Sequence, residues 1–122
     1  ERSGWLNRLK ELGVGVHARS VFLQGLLLMS RVQIPNYFER WSFVWDIWER
    51  ACDQGNFDPV QACLSYPLSL DGIDKIIIGV ESIEQFSHIL SVSNLSEEVD
   101  GLAQMEVSDK RLINPATWNA QC

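Results

Sequence analysis

Two short runs of apolar residues set the pattern of this chain, because both have the composition of β-strands. Val14, Val16 and Ala18 occupy alternate positions in the first run, and three isoleucines at positions 76–78 form the second. Alternation predicts a half-buried strand, whereas a continuous β-branched run predicts a strand that is buried on both faces. We therefore predict two strands, the second of which ends at Gly79.

Apolar residues at helical spacing predict a helix before the first strand and a longer one after it. Ser3 is a cap and Gly13 a stop signal for the first helix, whose apolar positions are Trp5, Leu6, Leu9 and Leu12. The longer helix covers residues 36–54, with the apolar positions Phe38, Trp41, Trp45, Trp48 and Cys52. Their spacing favours a packed helix seam over a ligand-stacking face. A loop from Gly25 to Pro35 precedes this helix.

Capping signals place two further helices, one on either side of the second strand. Asp58 and Pro59 start a helix with a buried face of Val60, Cys63 and Leu64, and Pro67 is expected to end or kink it. A turn at Asp71 and Gly72 then leads into the second strand. Ser82 and Gln85 resemble a capping box, and they precede a helix with the apolar positions Ile83, Phe86 and Leu90.

The end of the chain predicts one more helix and an irregular tail. The helix has Ser96, Val99, Leu102 and Met105 at helical spacing. The tail covers about residues 108–122, and we expect Ile113 and Trp118 to anchor it.

Strands that alternate with helices predict an α/β fold with a parallel sheet. Two parallel strands leave both edges of the sheet open, and such a sheet cannot cover itself. The chain is therefore either part of a larger barrel or sheet, or it completes its sheet with another chain.

Composition excludes several classes of protein. The chain has 122 residues, which is one domain, with 46% hydrophobic residues and a net charge of −6. This acidity argues against binding to nucleic acid or to an anionic membrane surface. No apolar run has the roughly 20 residues of a membrane span, and no signal peptide is visible. Cys52, Cys63 and Cys122 form no CxxC pair and indicate reduced thiols in a cytoplasmic protein.

The candidate chemistry lies where the two strands end, because ligands of parallel α/β folds bind beyond the carboxyl ends of strands. Arg19 and Ser20 end the first strand, and Gly79 leads from the second to a helix start that carries Ser82 and Gln85. These residues are typical of a phosphate site. The alternative is that Ser82 and Gln85 only cap their own helix and that Arg19 pairs with Glu81.

Neither histidine indicates a metal site or a catalytic triad. His17 lies within the first strand and points away from its apolar face, and His88 lies within a helix. Neither has a partner at metal-ligand spacing, and no GxSxG motif occurs. We assign no catalytic residue and no metal ligand.

Two segments resemble the aldo/keto reductases, in particular a bacterial branch in which a strand ends in RSVFLQG. They are RSVFLQGLLL at positions 19–28 and IIIGVESIEQF at positions 76–86. The residues that match the family pattern, and that the resemblance therefore assigns to cofactor binding, are Arg19, Ser20, Val21, Phe22, Gly25, Gly79, Val80, Ser82 and Gln85.

The resemblance implies that residues 1–122 form a single partial domain, the carboxyl-terminal segment of a (β/α)8 TIM barrel. This segment comprises about the last two βα units and a carboxyl-terminal helix. The family binds NADP or NAD at these strand ends and acts on a small carbonyl substrate. Its catalytic residues lie in the first half of the barrel, which we expect to be missing here, since the chain also begins at Glu1 and not at Met. The chain alone is therefore expected to be inactive.

Three departures from the family pattern concern the cofactor. Arg19 replaces the aromatic residue that stacks on the nicotinamide, and Gln85 replaces a frequent arginine for the 2′-phosphate. His88 and Ile89 stand where the family often has Glu-Asn for the adenine. The alternative function is a non-enzymatic module that completes its sheet by self-association or with another chain.

Overall fold

The computed structural model describes residues 4–93 and 105–118 and has an α/β fold that is rich in helices. Its helices and strands are α1 (Trp5–Glu11), β1 (His17–Arg19), α2 (Ser42–Gly55), α3 (Pro59–Ser69), β2 (Lys75–Ile77), α4 (Ile83–Ser93) and α5 (Lys110–Ile113). Short 3-10 helices cover Leu26–Leu28, Arg31–Gln33, Asn36–Trp41 and Pro115–Thr117. Within the described ranges no helix is both long and apolar enough to cross a membrane.

The two strands are parallel neighbours, as the sequence predicted. His17 pairs with Lys75, Ala18 with Ile76, and Arg19 with Ile77. The two strands form an open two-stranded sheet in the part of the chain that is described. The start of the pairing is fixed by the carboxylate of Asp74, whose Oδ2 accepts a hydrogen bond of 2.6 Å from the backbone N–H of Val16.

Only one face of the sheet is covered, so the prediction that the second strand is buried on both faces is wrong for the described residues. Ile76 and Ile78 pack against a buried cluster of Leu64, Ile89 and Val92 from α3 and α4. Ile77 points the other way, and its side chain is 55% exposed. An unbroken β-branched run suits a strand with two covered faces, but α3 and α4 supply the cover for one face only.

The aromatic seam forms the larger core, as predicted. Phe38, Trp41 and Trp45 are buried together with Leu26 and Leu112. The Trp45 indole donates a 3.3 Å hydrogen bond to the carbonyl of Phe38, and their rings meet edge to face. The predicted helix over residues 36–54 is divided, since it begins as the 3-10 helix Asn36–Trp41 and becomes α-helical only at Ser42.

A second cluster lies between α2 and α3 and contains both described cysteines. Trp48, Cys52, Ala62 and Cys63 are buried against one another. Burial, with a smaller contribution from Asp53, raises the pKa of the Cys52 thiol to about 11. Burial, and then the nearby Cys52, raises the pKa of the Cys63 thiol to about 12. Both thiols are therefore protonated at neutral pH.

Helix α3 begins as predicted. Asp58 caps it, with its Oδ1 accepting a hydrogen bond of 2.8 Å from the N–H of Val60. The helix continues through Pro67 and ends two residues later at Ser69, so the proline does not end it at its own position. Pro67 is buried in the last turn, where it has no N–H to donate to the carbonyl of Cys63 four residues earlier. The expected turn at Gly72 is present, with φ of +107°.

Helices α1 and α4 are both present, but the start of α1 and the buried face of α4 differ from the sequence expectation. Helix α1 forms as predicted, but it begins after Gly4, and the expected cap at Ser3 lies outside the described residues. In α4 the side chains of Ile83, Phe86 and Leu90 are exposed, whereas Ile89 and Val92 are buried. The apolar row that defined α4 in the sequence therefore faces away from the described core. The helix predicted from Ser96, Val99, Leu102 and Met105 lies outside the described residues except for Met105, which packs against the aromatic core.

The tail has more structure than expected, because α5 and the 3-10 helix Pro115–Thr117 replace an irregular segment. Trp118 packs against the aromatic core, as predicted, and contacts Phe38 edge to face at 4.9 Å. Ile113 is exposed, however, and its neighbour Leu112 is the buried anchor. A helical turn at Lys110–Ile113 carries Leu112 inward and leaves Ile113 in solvent.

Candidate functional site

An open cleft of about 700 Å³ lies beyond the carboxyl ends of β1 and β2. One wall is the segment that follows β1, and the other is the segment that joins β2 to α4. The parallel pairing positions these walls, because it brings Arg19 beside Ile77 at the last residue of each strand. The cleft therefore occupies the place at which parallel α/β folds bind their ligands.

Most residues that the sequence singled out meet in this cleft. Eight of the nine line it, namely Arg19, Ser20, Val21, Phe22, Gly25, Gly79, Val80 and Gln85. Ser82, the ninth, lies outside the lining. Further lining residues are Gln24, Leu28, Val60, Ile77, Ile78, Glu81, His88 and Ile89.

The wall after β1 has an unusual backbone. Ser20, Leu23 and Gln24 have φ values of 60°, 48° and 57°, and Gly25 follows with 83°. Only glycine adopts this left-handed region without cost, so three non-glycine residues there carry strain of roughly 1 kcal/mol each or more. Strain of this kind persists where surrounding contacts hold the chain in place.

Hydrogen bonds from α2 and from within the loop hold this wall. The Trp48 indole donates to the carbonyl of Leu27 at 3.0 Å. Within the loop, the N–H of Leu23 donates to the carbonyl of Ser20 at 3.0 Å. The wall is therefore fixed to the packed helices and is not a free surface loop.

The wall after β2 exposes its backbone at Gly79. No atom lies within 4 Å of the position that a side chain on Gly79 would take, and the residue has no left-handed φ. A Cβ therefore fits there without a clash, and a larger side chain would extend into the open space along this wall of the cleft. The absence of a side chain leaves the backbone accessible to a bound group.

The start of α4 is capped by its own side chains, which is the alternative that the sequence left open. The N–H of Gln85 donates to Ser82 Oγ at 3.2 Å, and the N–H of Glu81 donates to Gln85 Oε1 at 2.9 Å. Its own backbone N–H, and then the Ser82 hydroxyl, hold the pKa of the Glu84 carboxyl below its ordinary value. A phosphate at this helix end would compete with these contacts.

The ionisable residues of the cleft are Arg19, Glu81 and His88. The pair between Arg19 and Glu81, which was part of the alternative to a phosphate site, is absent from the described structure, because Arg19 makes no ion pair with any residue in it. The guanidinium of Arg19 therefore stays available to a ligand at the mouth of the cleft.

His88 is a lining residue whose contact with Asp58 the sequence did not predict. Its Nε2 lies 3.1 Å from Oδ2 of Asp58, the residue that caps α3 through its other carboxylate oxygen. The contact joins residues 30 positions apart, so spacing along the chain gives no sign of it. The available signal was the capping carboxylate itself, since a capping Asp keeps one oxygen for another donor.

The chemistry that this arrangement provides is binding. Arg19 offers a fixed positive charge, Ser20 and Gln85 lie near it in the lining, and Gly79 leaves backbone accessible. Within residues 4–93 and 105–118, no three His, Cys, Asp or Glu side chains are grouped so that they could hold a metal ion. The cleft thus suits an organic ligand that carries negative charge.

Comparison with protein families, with curated proteins and with solved structures finds no match to this chain. The functional interpretation therefore depends on the geometry of the cleft and on the sequence motifs that line it.

Proposed function

We propose that the chain is the carboxyl-terminal, cofactor-binding part of an NAD(P)-dependent oxidoreductase of the aldo/keto reductase type. In this proposal β1 and β2 are the last two strands of a (β/α)8 barrel, and the complete protein acts on a small carbonyl substrate in the cytoplasm. The observation that carries the proposal is the cleft, where residues of both family-like motifs meet at the ends of two parallel strands.

The open sheet supports the barrel part of the proposal. Parallel strands occur almost only in sheets that are covered on both faces, and Ile77 leaves an apolar side chain on a bare face. Further strands beside β1 and β2 would pair the two outer edges and close a barrel, whose interior side chains would cover Ile77. The missing partner is then the first half of the barrel.

The dimensions and donors of the cleft suit a nicotinamide dinucleotide. Its volume of about 700 Å³ lies within the usual range for cofactor sites. Arg19 would bind a negatively charged group or the edge of the nicotinamide, and Gly79 would allow a phosphate to approach the backbone. When bound, the cofactor supplies hydride chemistry. The residues of this chain bind and orient it, and the proposal assigns none of them a catalytic role.

Direct titration with NADPH and NADH tests the proposal. The cleft variant is Gly79→Leu, because a side chain there enters open space at the cleft wall. The control is Gly15→Leu, which lies outside the cleft and whose added Cβ makes only an ordinary contact with Asp74. We expect the unchanged chain and the control to bind at least one dinucleotide, and Gly79→Leu to bind it about tenfold more weakly. With an aldehyde present we expect binding without turnover.

Two results would contradict the proposal. One is a chain that folds cooperatively and binds neither dinucleotide. The other is a Gly79→Leu variant with unchanged affinity, since the ligand would then bind elsewhere. Circular dichroism of both leucine variants confirms that a loss of binding is not a loss of fold.

A specific observation also favours the second candidate, a non-enzymatic module that associates through its open surfaces. Ile83, Phe86 and Leu90 expose an apolar row along α4, and Ile77 exposes another apolar side chain on the sheet. Exposed apolar patches commonly mark interaction sites. This candidate predicts an oligomer that Phe86→Gln weakens and that binds no dinucleotide. A monomer over a wide concentration range, measured by light scattering, would contradict it.

A further inference from the structure

The uncovered face of the sheet carries a group of basic side chains. Ala18 and Ile76 are half-buried on the helix side, so their neighbours in each strand point to the opposite, exposed side. The residues on that side are His17, Arg19, Lys75 and Ile77. His17 lies directly opposite Lys75, and Arg19 lies two positions further along β1. Three basic groups therefore start from backbone positions within about 8 Å of one another.

These groups lack an ion-pair partner within the described residues. None of His17, Arg19 and Lys75 forms an ion pair with residues 4–93 or 105–118. Asp74 precedes Lys75 along the chain, but its Oδ2 is bonded to the backbone N–H of Val16. The chain as a whole has a net charge of −6, so a group of basic side chains on one face is opposite in sign to the overall charge.

Coverage of this face requires negative charge from its occupant. Lys and Arg are rarely buried without a partner, because an unpaired charge loses its hydration without compensation. Whatever covers the face must therefore supply carboxylate or phosphate oxygens. Arg19 is the member that a small ligand reaches, since it belongs both to this face and to the lining of the cleft.

We propose that the basic face binds the carboxylate of a small anionic carbonyl compound, such as a 2-oxo acid. Arg19 makes the contact, and Lys75 on the neighbouring strand adds positive potential. A guanidinium binds a carboxylate through two parallel hydrogen bonds, which fixes the orientation of the neighbouring carbonyl. The inference rests on the proposed function, because it names the substrate class of the same cleft.

Glu81 is the carboxylate of the cleft that competes with such a ligand. It lines the cleft beside Gln85, at the start of α4. Its charge opposes an anion, so Glu81→Gln should strengthen carboxylate binding. Carboxylate binding that is unchanged or weakened in Glu81→Gln would contradict this competition for Arg19.

A matched pair of probes separates charge from shape. Pyruvate and methyl pyruvate carry the same carbonyl group, but only pyruvate has a carboxylate. Each is titrated into the full chain while the amide signals of Arg19 and Gly79 are followed by NMR. We expect pyruvate to bind and Arg19→Gln to weaken it about tenfold, the usual effect of losing a charged hydrogen bond. Lys75→Gln should weaken it about twofold to threefold, because a nearby exposed charge contributes less than a direct contact. Methyl pyruvate should bind weakly to every variant.

The control variant is Arg50→Gln, which makes the same change in charge on an exposed position of α2 outside the cleft. Equal affinity of Arg19→Gln and Arg50→Gln for pyruvate would overturn the inference. So would the absence of pyruvate binding, or equal binding of pyruvate and methyl pyruvate. Because Arg19 is exposed, its replacement should leave the unfolding curve unchanged.

A parallel titration with NADPH keeps this inference separate from the proposed function. Dinucleotide binding without preference for pyruvate over its ester would overturn the substrate class and leave the cofactor proposal standing. A preference for pyruvate without dinucleotide binding would overturn the cofactor proposal, since the cleft would then be an anion site that holds no nicotinamide cofactor.

Discussion

Asp58 caps α3 and also contacts His88 in the lining of the cleft. Different replacements of Asp58 separate the contributions of these two contacts to stability. Oδ1 accepts hydrogen bonds from Val60 at 2.8 Å and from Gln61 at 3.4 Å, and so caps α3. Oδ2 lies 3.1 Å from Nε2 of His88 on α4. Asp58→Ala removes both contacts, whereas Asp58→Asn keeps a side chain that caps helices about as well.

The structure sets the expected magnitudes. Loss of an N-cap costs about 1 kcal/mol of unfolding free energy. The contact with His88 joins side chains that are 47% and 35% exposed, so solvent limits it to about 0.5 kcal/mol. We therefore expect Asp58→Ala to cost about 1.5 kcal/mol, and Asp58→Asn about 0.5 kcal/mol, since the Asn variant loses only the contact with His88.

Urea unfolding at pH 7, followed by circular dichroism, measures these differences by linear extrapolation. His88→Gln should lower the unfolding free energy about as much as Asp58→Asn does. The double variant that combines these two changes should lose no more than either alone, because both changes break the same contact. An Asp58→Asn variant as destabilised as Asp58→Ala would refute the capping role. Additive losses in the double variant would refute the contact between Asp58 and His88.

Three further predictions concern the core. Cys52 and Cys63 should resist a thiol reagent at pH 8 until urea unfolds the chain, because burial raises the pKa of both thiols, to about 11 and about 12. Since these folded pKa values exceed those of the unfolded chain, stability should fall as pH rises from about 9 towards 12, as urea titrations at each pH would show. Phe38→Ala should cost about 3–5 kcal/mol and abolish the near-ultraviolet dichroism of the tryptophans, because Phe38 is only 1% exposed; a loss under 1 kcal/mol would contradict this core assignment. Trp48→Phe should cost about 1–2 kcal/mol, because it leaves the Leu27 carbonyl without its donor, and hydrogen exchange should rise first in the loop after β1; protection unchanged there would show that this bond does not hold the wall.

The parts of the fold that sequence reasoning predicted correctly are those where spacing alone determines packing. Trp41, Trp45 and Trp48 recur at intervals that place them on one side of a helix, so their burial follows from geometry. The pairing of β1 with β2 follows because strands joined by helices form parallel neighbours. The cleft lining then follows from where the strands end.

The failures share a physical cause, which is that a pattern shows what a side chain favours and not what is present to cover it. Ile77 and Phe86 have the spacing of buried residues, yet both are exposed in the described structure. Pro67 shows the opposite case, because a residue that favours a helix end lies inside α3 and is buried there. The contact of His88 was missed because its partner, Asp58, approaches it only after α3 packs against α4.

The pairing of β1 with β2 also determines when the cleft forms during folding. The bond that begins the ladder, from Val16 to Asp74, joins residues 58 positions apart, and α2 and α3 lie between them. Closing a loop of this length has an entropic cost that local helices do not have, so we expect the ladder to form after α2 and α3. The cleft then exists only late on the folding pathway. A ligand that binds it would slow unfolding and leave the folding rate nearly unchanged.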